Sequence, residues 1–190
     1  MKLLLASKSP RRRQLLSELG YPVEFITLNV DEHVPAGTPA ADTAEMLACR
    51  KAAACPVDVI GDDDILVAAD TVVVLREKVL GKPANRDEAM DMLHALAGNR
   101  HTVYTGVCMR TSHQSLSFTE KTDVFFRRLD DKELAYYVDN YRPYDKAGAY
   151  GIQEWIGMIG ISRIEGCYYN VMGLPVARVY EAIQLLTQQN

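Results

Sequence analysis

No apolar run in the 190 residues is long enough to cross a membrane. Leu3-Leu4-Leu5-Ala6 is also too short for the core of a secretory signal, and its basic cluster, Arg11 to Arg13, follows it. The cytoplasm is therefore the expected location. Positive charge is not in surplus either. The net charge is −4 and no long basic stripe is present, which argues against a chain whose main work is gripping DNA or RNA. Cys49, Cys55, Cys108 and Cys167 contain no C-x-x-C pair, and none stands near a histidine at zinc spacing. Reduced, mostly buried thiols are expected instead. The phosphate signatures G-x-x-x-x-G-K-[ST] and G-x-G-x-x-G after a strand are both missing. Internal repeats, low-complexity tracts and long linkers are absent as well.

What is present is an ordinary globular composition, 48% hydrophobic and 24% charged, with enough length for one domain and a real core. The pattern predicts a short strand before Ser7, then a helix with Ser9 as N-cap and Pro10 in first position, stopping near Gly20. Residues 23–28 read as a strand, and Asp42 with Glu45 as the capped start of a helix to about Ala54. The acidic triplet 62–64 reads as a solvated turn, followed by a buried β-branched strand over 65–75. Asn85 with Glu88 predicts a helix that runs to Gly98. Strands are expected over 102–109, 116–126, 156–164 and 168–171, with helices over 130–141 and 175–188. Interleaved strands and helices with some neighbouring strands imply an α/β fold with a mixed sheet.

Three features carry chemistry. Arg11, Arg12 and Arg13 crowd a helix N-terminus, where positive charge is unfavourable unless an anion sits among them. Free backbone N–H groups, the hydroxyls of Ser7 and Ser9 and arginine forks together describe a phosphate site. Asp70 interrupts an otherwise apolar strand, where a carboxylate is costly unless paired, hydrogen-bonded or bound to metal. The small residues of Asp145-Lys146-Ala147-Gly148-Ala149-Tyr150-Gly151-Ile152-Gln153 permit close approach of a ligand, and Gln153 offers a donor and an acceptor to a base edge. On residue type alone, Lys51 reads as a surface helix charge, Lys82 in Gly81-Lys82-Pro83 as an exposed turn, and Glu32 as a solvated loop acid.

Taken together in order and spacing, these segments with Lys51-Ala52, Ala69-Asp70-Thr71, Thr122-Asp123-Val124 and Met172-Gly173-Leu174-Pro175 make the chain resemble the Maf family of nucleoside triphosphate pyrophosphatases. The resemblance covers essentially all of residues 1–190 and implies one Maf-like domain. It implies a mixed α/β sheet bent into two lobes with a central cleft, similar to the inosine triphosphate pyrophosphatase fold. The Asp-Lys-Ala-Gly-Ala-Tyr-Gly-Ile-Gln loop resembles the branch acting on dTTP and UTP, and the implied reaction yields the monophosphate and pyrophosphate. A 7-methyl-GTP pyrophosphatase of the same family, and a non-enzymatic regulator of septum formation, are the alternatives. By resemblance Asp70 is the catalytic acid–base residue. Arg11, Thr71 and Gln153 match positions that set nucleotide preference. Ser7, Arg12, Lys51 and Lys82 match the phosphate path. Asp70 and Glu32 match acidic positions at a divalent metal, Mg²⁺ or Mn²⁺. Arg13 lies outside the shared core and receives no role. Trp155-Ile156 stands where relatives often have glycines. The implied partners are the nucleotide and, as in many relatives, a second copy of the chain, with no nucleic acid and no membrane.

Overall fold

Strand β1 (Leu3–Ala6) is buried at every position, which is why it reads as an unbroken apolar run. The computed structural model describes residues 1–35 and 37–188. From β1 the chain enters helix α1 (Pro10–Ser17) through the expected cap: Ser9 Oγ accepts the Arg12 N–H and Pro10 occupies the first turn. Strand β2 (Val23–Ile26) follows, then helix α2 (Ala40–Ala53). The expected Asp42–Glu45 cap is corrected. The helix begins after Pro39 without a side-chain cap, and the Thr43 hydroxyl donates to the Pro39 carbonyl at 3.0 Å. Glu45 instead accepts the hydroxyls of Ser117 and Thr119 at 2.7 and 2.8 Å.

Strand β3 (Ile65–Leu75) has the predicted bounds. It turns directly into β4 (Lys78–Leu80), a strand the sequence did not announce. The two-residue turn is Arg76-Glu77, with φ of 47° and 69°. Such turns usually carry Asn-Gly, so the ordinary hairpin signal was missing. Helix α3 (Arg86–Leu96) has Asn85 as its cap, accepting the Glu88 N–H at 2.9 Å. Strands β5 (Arg100–Arg110) and β6 (Ser115–Phe126) follow, then helix α4 (Asp131–Tyr141), closed by a reciprocal Asp130–Glu133 capping box.

Two predicted strands are corrected. Residues 155–160 form helix α5 (Trp155–Gly160), and only β7 (Ile161–Glu165) of that stretch is extended. Residues 168–172 form helix α6 (Tyr168–Met172). Both apolar runs are too short for their period to separate helix from strand. In α6 the polar Asn170 is the buried residue, donating to Val103 O and Thr122 Oγ1, while Tyr168 and Tyr169 are exposed. Helix α7 (Val176–Gln188) buries Val179, Ala182, Ile183 and Leu186 on one stripe, as its spacing predicts.

The strands form one mixed sheet in the order β2-β1-β3-β5-β6-β7, with β4 paired to β3. β1 runs parallel to both β2 and β3, whereas β3–β4 and β6–β7 are antiparallel. The chain divides into two compact units. The first holds Met1–Asp70, Thr105–Glu120 and the stretch from Gly173 onward; the second holds Thr71–Tyr104 and Lys121–Met172. Leu4, Ala48, Ala52, Leu66, Ala68 and Cys108 centre the core of the first unit. Val73, Leu93, Val124, Phe126, Leu134, Tyr137 and Ile156 centre that of the second. Among the described residues no helix is long and apolar enough to cross a membrane, and the four cysteines are free thiols.

Candidate active site

The register of two parallel strands builds the first half of the site. β1 pairs with β3 from Leu3↔Ile65 to Ala6↔Ala68, and there β1 ends. β3 continues, so Ser7 and Asp70 both emerge just past the carboxyl end of this pairing. Ligands in α/β sheets gather at such ends. This explains why an apolar strand tolerates Asp70: its carboxylate stands beyond the last residue that β1 covers. Arg12 reaches back from α1 to the same edge. Its Nη1 donates to Ala69 O at 2.8 Å and its Nε to Gly173 O at 2.7 Å. Arg12 thus braces the backbone beside Asp70, a role that residue type alone did not reveal.

Asp70 is ion-paired. Lys51, in the last turn of α2, places Nζ 2.5 Å from Asp70 Oδ1 and 2.8 Å from Glu32 Oε1. The Lys51 and Asp70 side chains retain only 17% and 16% of their exposure, while Glu32 retains 58%. One ammonium therefore compensates two carboxylates from different segments, and the bond to Asp70 is charge-assisted and partly shielded from water. The Arg12 guanidinium is pushed below its ordinary value by burial, opposed by the charge of Asp70 and reinforced by that of Arg11. The structure brings Asp70, Lys51 and Glu32 into direct contact, with Arg12 on the Asp70 backbone.

Ser7 shapes the loop before α1. Its Oγ accepts the Ser9 N–H at 3.2 Å, and its carbonyl accepts Arg13 Nε at 3.4 Å. The Arg13 guanidinium lies 4.8 Å from the centre of the Phe25 ring. Arg13 is thus engaged within the fold. Arg11 is half-buried.

Thr71, Lys82 and Gln153 belong to the second unit. The Gly148 N–H donates to Gly81 O at 3.0 Å, which ties the 145–153 segment to the residue before Lys82. Ala149 takes a left-handed φ of 59°, uncommon for a residue with a Cβ, so this backbone is held under strain. Gln153 Oε1 is buried and has no hydrogen-bond partner. Buried acceptors are nearly always paired, so this oxygen is open to a donor from outside the fold. Thr122 has a structural place: its hydroxyl accepts from the Cys167 N–H and from Asn170 Nδ2.

The donor set fits a small hard cation. Asp70 and Glu32 present carboxylate oxygens around one cationic point, and among the described residues no group of three or more His, Cys, Asp or Glu could hold a metal. Mg²⁺ and Mn²⁺ bind in this manner, taking one or two carboxylates and completing their shell with phosphate and water oxygens.

A family model described as Maf-like protein matches residues 2–186. A protein of Parabacteroides distasonis named dTTP/UTP pyrophosphatase is 47% identical over 184 residues, spanning 96% of this chain and 95% of its own. A protein of the same name from Bacteroides thetaiotaomicron is 46% identical, spanning 97% and 96%. One from Porphyromonas gingivalis is 44% identical, spanning 100% and 96%. Among solved structures, the Ham1 protein of Staphylococcus aureus is 13% identical with a TM-score of 0.46, covering 66% of this chain and 72% of that one.

Proposed function

The chain belongs to the Maf family, and we propose that it hydrolyses dTTP and UTP to the nucleoside monophosphate and pyrophosphate. The observation that carries this reading is the Asp70–Lys51–Glu32 contact at the end of β1–β3, next to the Ser7-to-Arg12 turn.

The reaction joins a water oxygen to the α-phosphorus and breaks the bond from that phosphorus to the bridging oxygen, which leaves with pyrophosphate. Asp70 is the acid–base group: its carboxylate orients the water and receives its proton. Lys51 keeps Asp70 in place and, with Arg11, Arg12 and Lys82, offsets negative charge that develops on the phosphate oxygens. Ser7 adds a hydroxyl to the same anion. A divalent cation, Mg²⁺ or Mn²⁺, when bound by Asp70 and Glu32, supplies charge neutralisation of the triphosphate. Gln153 reads the base. Uracil and thymine share an imide edge, a ring N–H beside a carbonyl oxygen. The unpaired Gln153 Oε1 accepts that N–H and the amide NH₂ donates to the carbonyl. Cytosine reverses both polarities and leaves the buried acceptor unpaired, which lowers its rate. Thr71 follows Asp70 directly and contributes to nucleotide preference. A homodimer is part of this proposal only by family resemblance.

The test is pyrophosphate release by the purified protein with Mg²⁺ and a panel of dTTP, UTP, CTP, the purine triphosphates and 7-methyl-GTP. Release from dTTP and UTP well above CTP is expected. No release from either sinks the activity, and a preference for 7-methyl-GTP moves the chain to the other branch of the family.

A further inference from the structure

The segment carrying Gln153 is fastened at both sides by a network that the reaction does not use. Tyr137 of α4 is fully buried, and its hydroxyl sits between two partners. It accepts the Gly151 N–H at 3.0 Å and donates to Glu154 Oε2. The other Glu154 oxygen accepts from Lys146 Nζ at 3.1 Å, and Lys146 also reaches Asp145 Oδ1 at 2.8 Å. The Lys146 side chain is only 8% exposed, so its ammonium depends on these carboxylates. The Glu154 carboxylate lies against Gly151 so closely that a Cβ there would meet Glu154 Cδ at 2.8 Å. The Glu154 N–H returns to Gly151 O at 3.0 Å, closing the turn that contains Gln153. Trp155, the residue after Glu154, packs on Tyr136 with ring centres 4.8 Å apart. Gln153 therefore sits in a turn of which both ends, Gly151 and Glu154, are hydrogen-bonded to one phenol. Burial, and then the bond to Glu154, push the Tyr137 hydroxyl above its ordinary value, so it stays a donor across the working pH range.

We infer that Tyr137, Glu154 and Lys146 are positioning residues for Gln153, and that the choice of imide-bearing nucleotides depends on this network as much as on the glutamine itself. The inference rests on the base-reading role of Gln153 proposed above. A side chain that must present one acceptor to one ring N–H discriminates only if its backbone cannot shift, because a displacement of about 1 Å loses the bond. A merely structural role would cost stability and leave selectivity unchanged.

The experiment measures kcat and KM for UTP, dTTP and CTP with Mg²⁺ in Gln153→Ala, Tyr137→Phe, Glu154→Gln and the Tyr137→Phe/Gln153→Ala double variant, alongside thermal melting. Tyr137→Phe keeps the ring but removes the hydroxyl. Glu154→Gln keeps volume and one acceptor, and decides the matter if Tyr137→Phe fails to fold. The expected result is a rise of about tenfold in KM for UTP and dTTP, a similar loss of preference over CTP, and little change in kcat. In the Gln153→Ala background, Tyr137→Phe should cause no further loss of preference. If Gln153→Ala alone lowers preference while Tyr137→Phe and Glu154→Gln retain it, or if the effects add in full, the positioning role is overturned and base reading stands. If Gln153→Ala itself leaves preference unchanged, base reading falls and the inference with it.

Discussion

Asp70 and His101 are both titratable groups drawn into the protein, and the two are handled in opposite ways. Asp70 keeps a cationic partner in Lys51, whereas His101 keeps none: it is 1% exposed, with Nε2 bonded to the Tyr150 hydroxyl at 2.7 Å and Nδ1 unpaired. Asp70→Asn should lower turnover by about 10²–10⁴-fold, the range for losing a general base. The fold should survive, because Lys51 retains Glu32 and the amide still offers it an oxygen. Pyrophosphate release and a melting curve check this, and an active variant would remove Asp70 from the mechanism. For His101, burial lowers the imidazole from 6.5 to about 4, opposed by the charge of Asp123. The unfolded chain therefore binds a proton that the folded chain refuses between those values. Stability contributed by the neutral ring is complete above pH 6.5 and declines as pH falls toward 4, by about 1.4 kcal/mol per pH unit. Melting temperature against pH should show this acid limb in the parent and a shallower one in His101→Leu; parallel curves would refute the assignment. The anomaly of Asp70 was visible as one charge in an apolar strand. His101 gave no such signal, since a histidine at the edge of a strand is unremarkable until its neighbours are known.

At the scale of elements, α2 carries Lys51 and its height over the sheet is set by Gly106 of β5. A Cβ at 106 would lie 2.2–2.3 Å from the backbone of Ala44 and Glu45, so the second turn of α2 rests directly on the strand. Gly106→Ala should push the helix outward and destabilise by about 3 kcal/mol, at the upper end for overpacking. It should also lower activity in the fraction that remains folded by drawing Lys51 away from Asp70. Denaturant unfolding and pyrophosphate release on the same samples test both parts; unchanged stability would show that α2 accommodates the methyl group. The elements legible in advance were those with local punctuation. Ser9-Pro10 and Asn85 with Glu88 marked helix starts that the structure contains, through hydrogen bonds closed within one turn. Helices α5 and α6 were misread because their apolar residues are few and β-branched or aromatic. What makes them helical is distant: Glu154 held by Tyr137, and Asn170 held by Val103 and Thr122. Tertiary contacts of this kind override propensity.

For the molecule as a whole, the proposed divalent cation falls to the two carboxylates that meet at Lys51. Chelation with EDTA should reduce pyrophosphate release by at least about 10²-fold, and added Mg²⁺ or Mn²⁺ should restore it. Activity that persists through chelation would remove the cation from the proposal. The mixed α/β class, β1, β3, most helix starts and the family could be read from the chain, because periodicity, caps and motif strings are properties of neighbouring residues. The sequence also marked Asp70 and Gln153 as chemically unusual. The convergence of Lys51 and Glu32 on Asp70, the bracing of the Ala69 carbonyl by Arg12 and the unpaired Gln153 Oε1 arise from folding. These depend on strand register and on where β1 stops beside β3. Register is a contest among long-range pairings, and its outcome appears in no single stretch of chain.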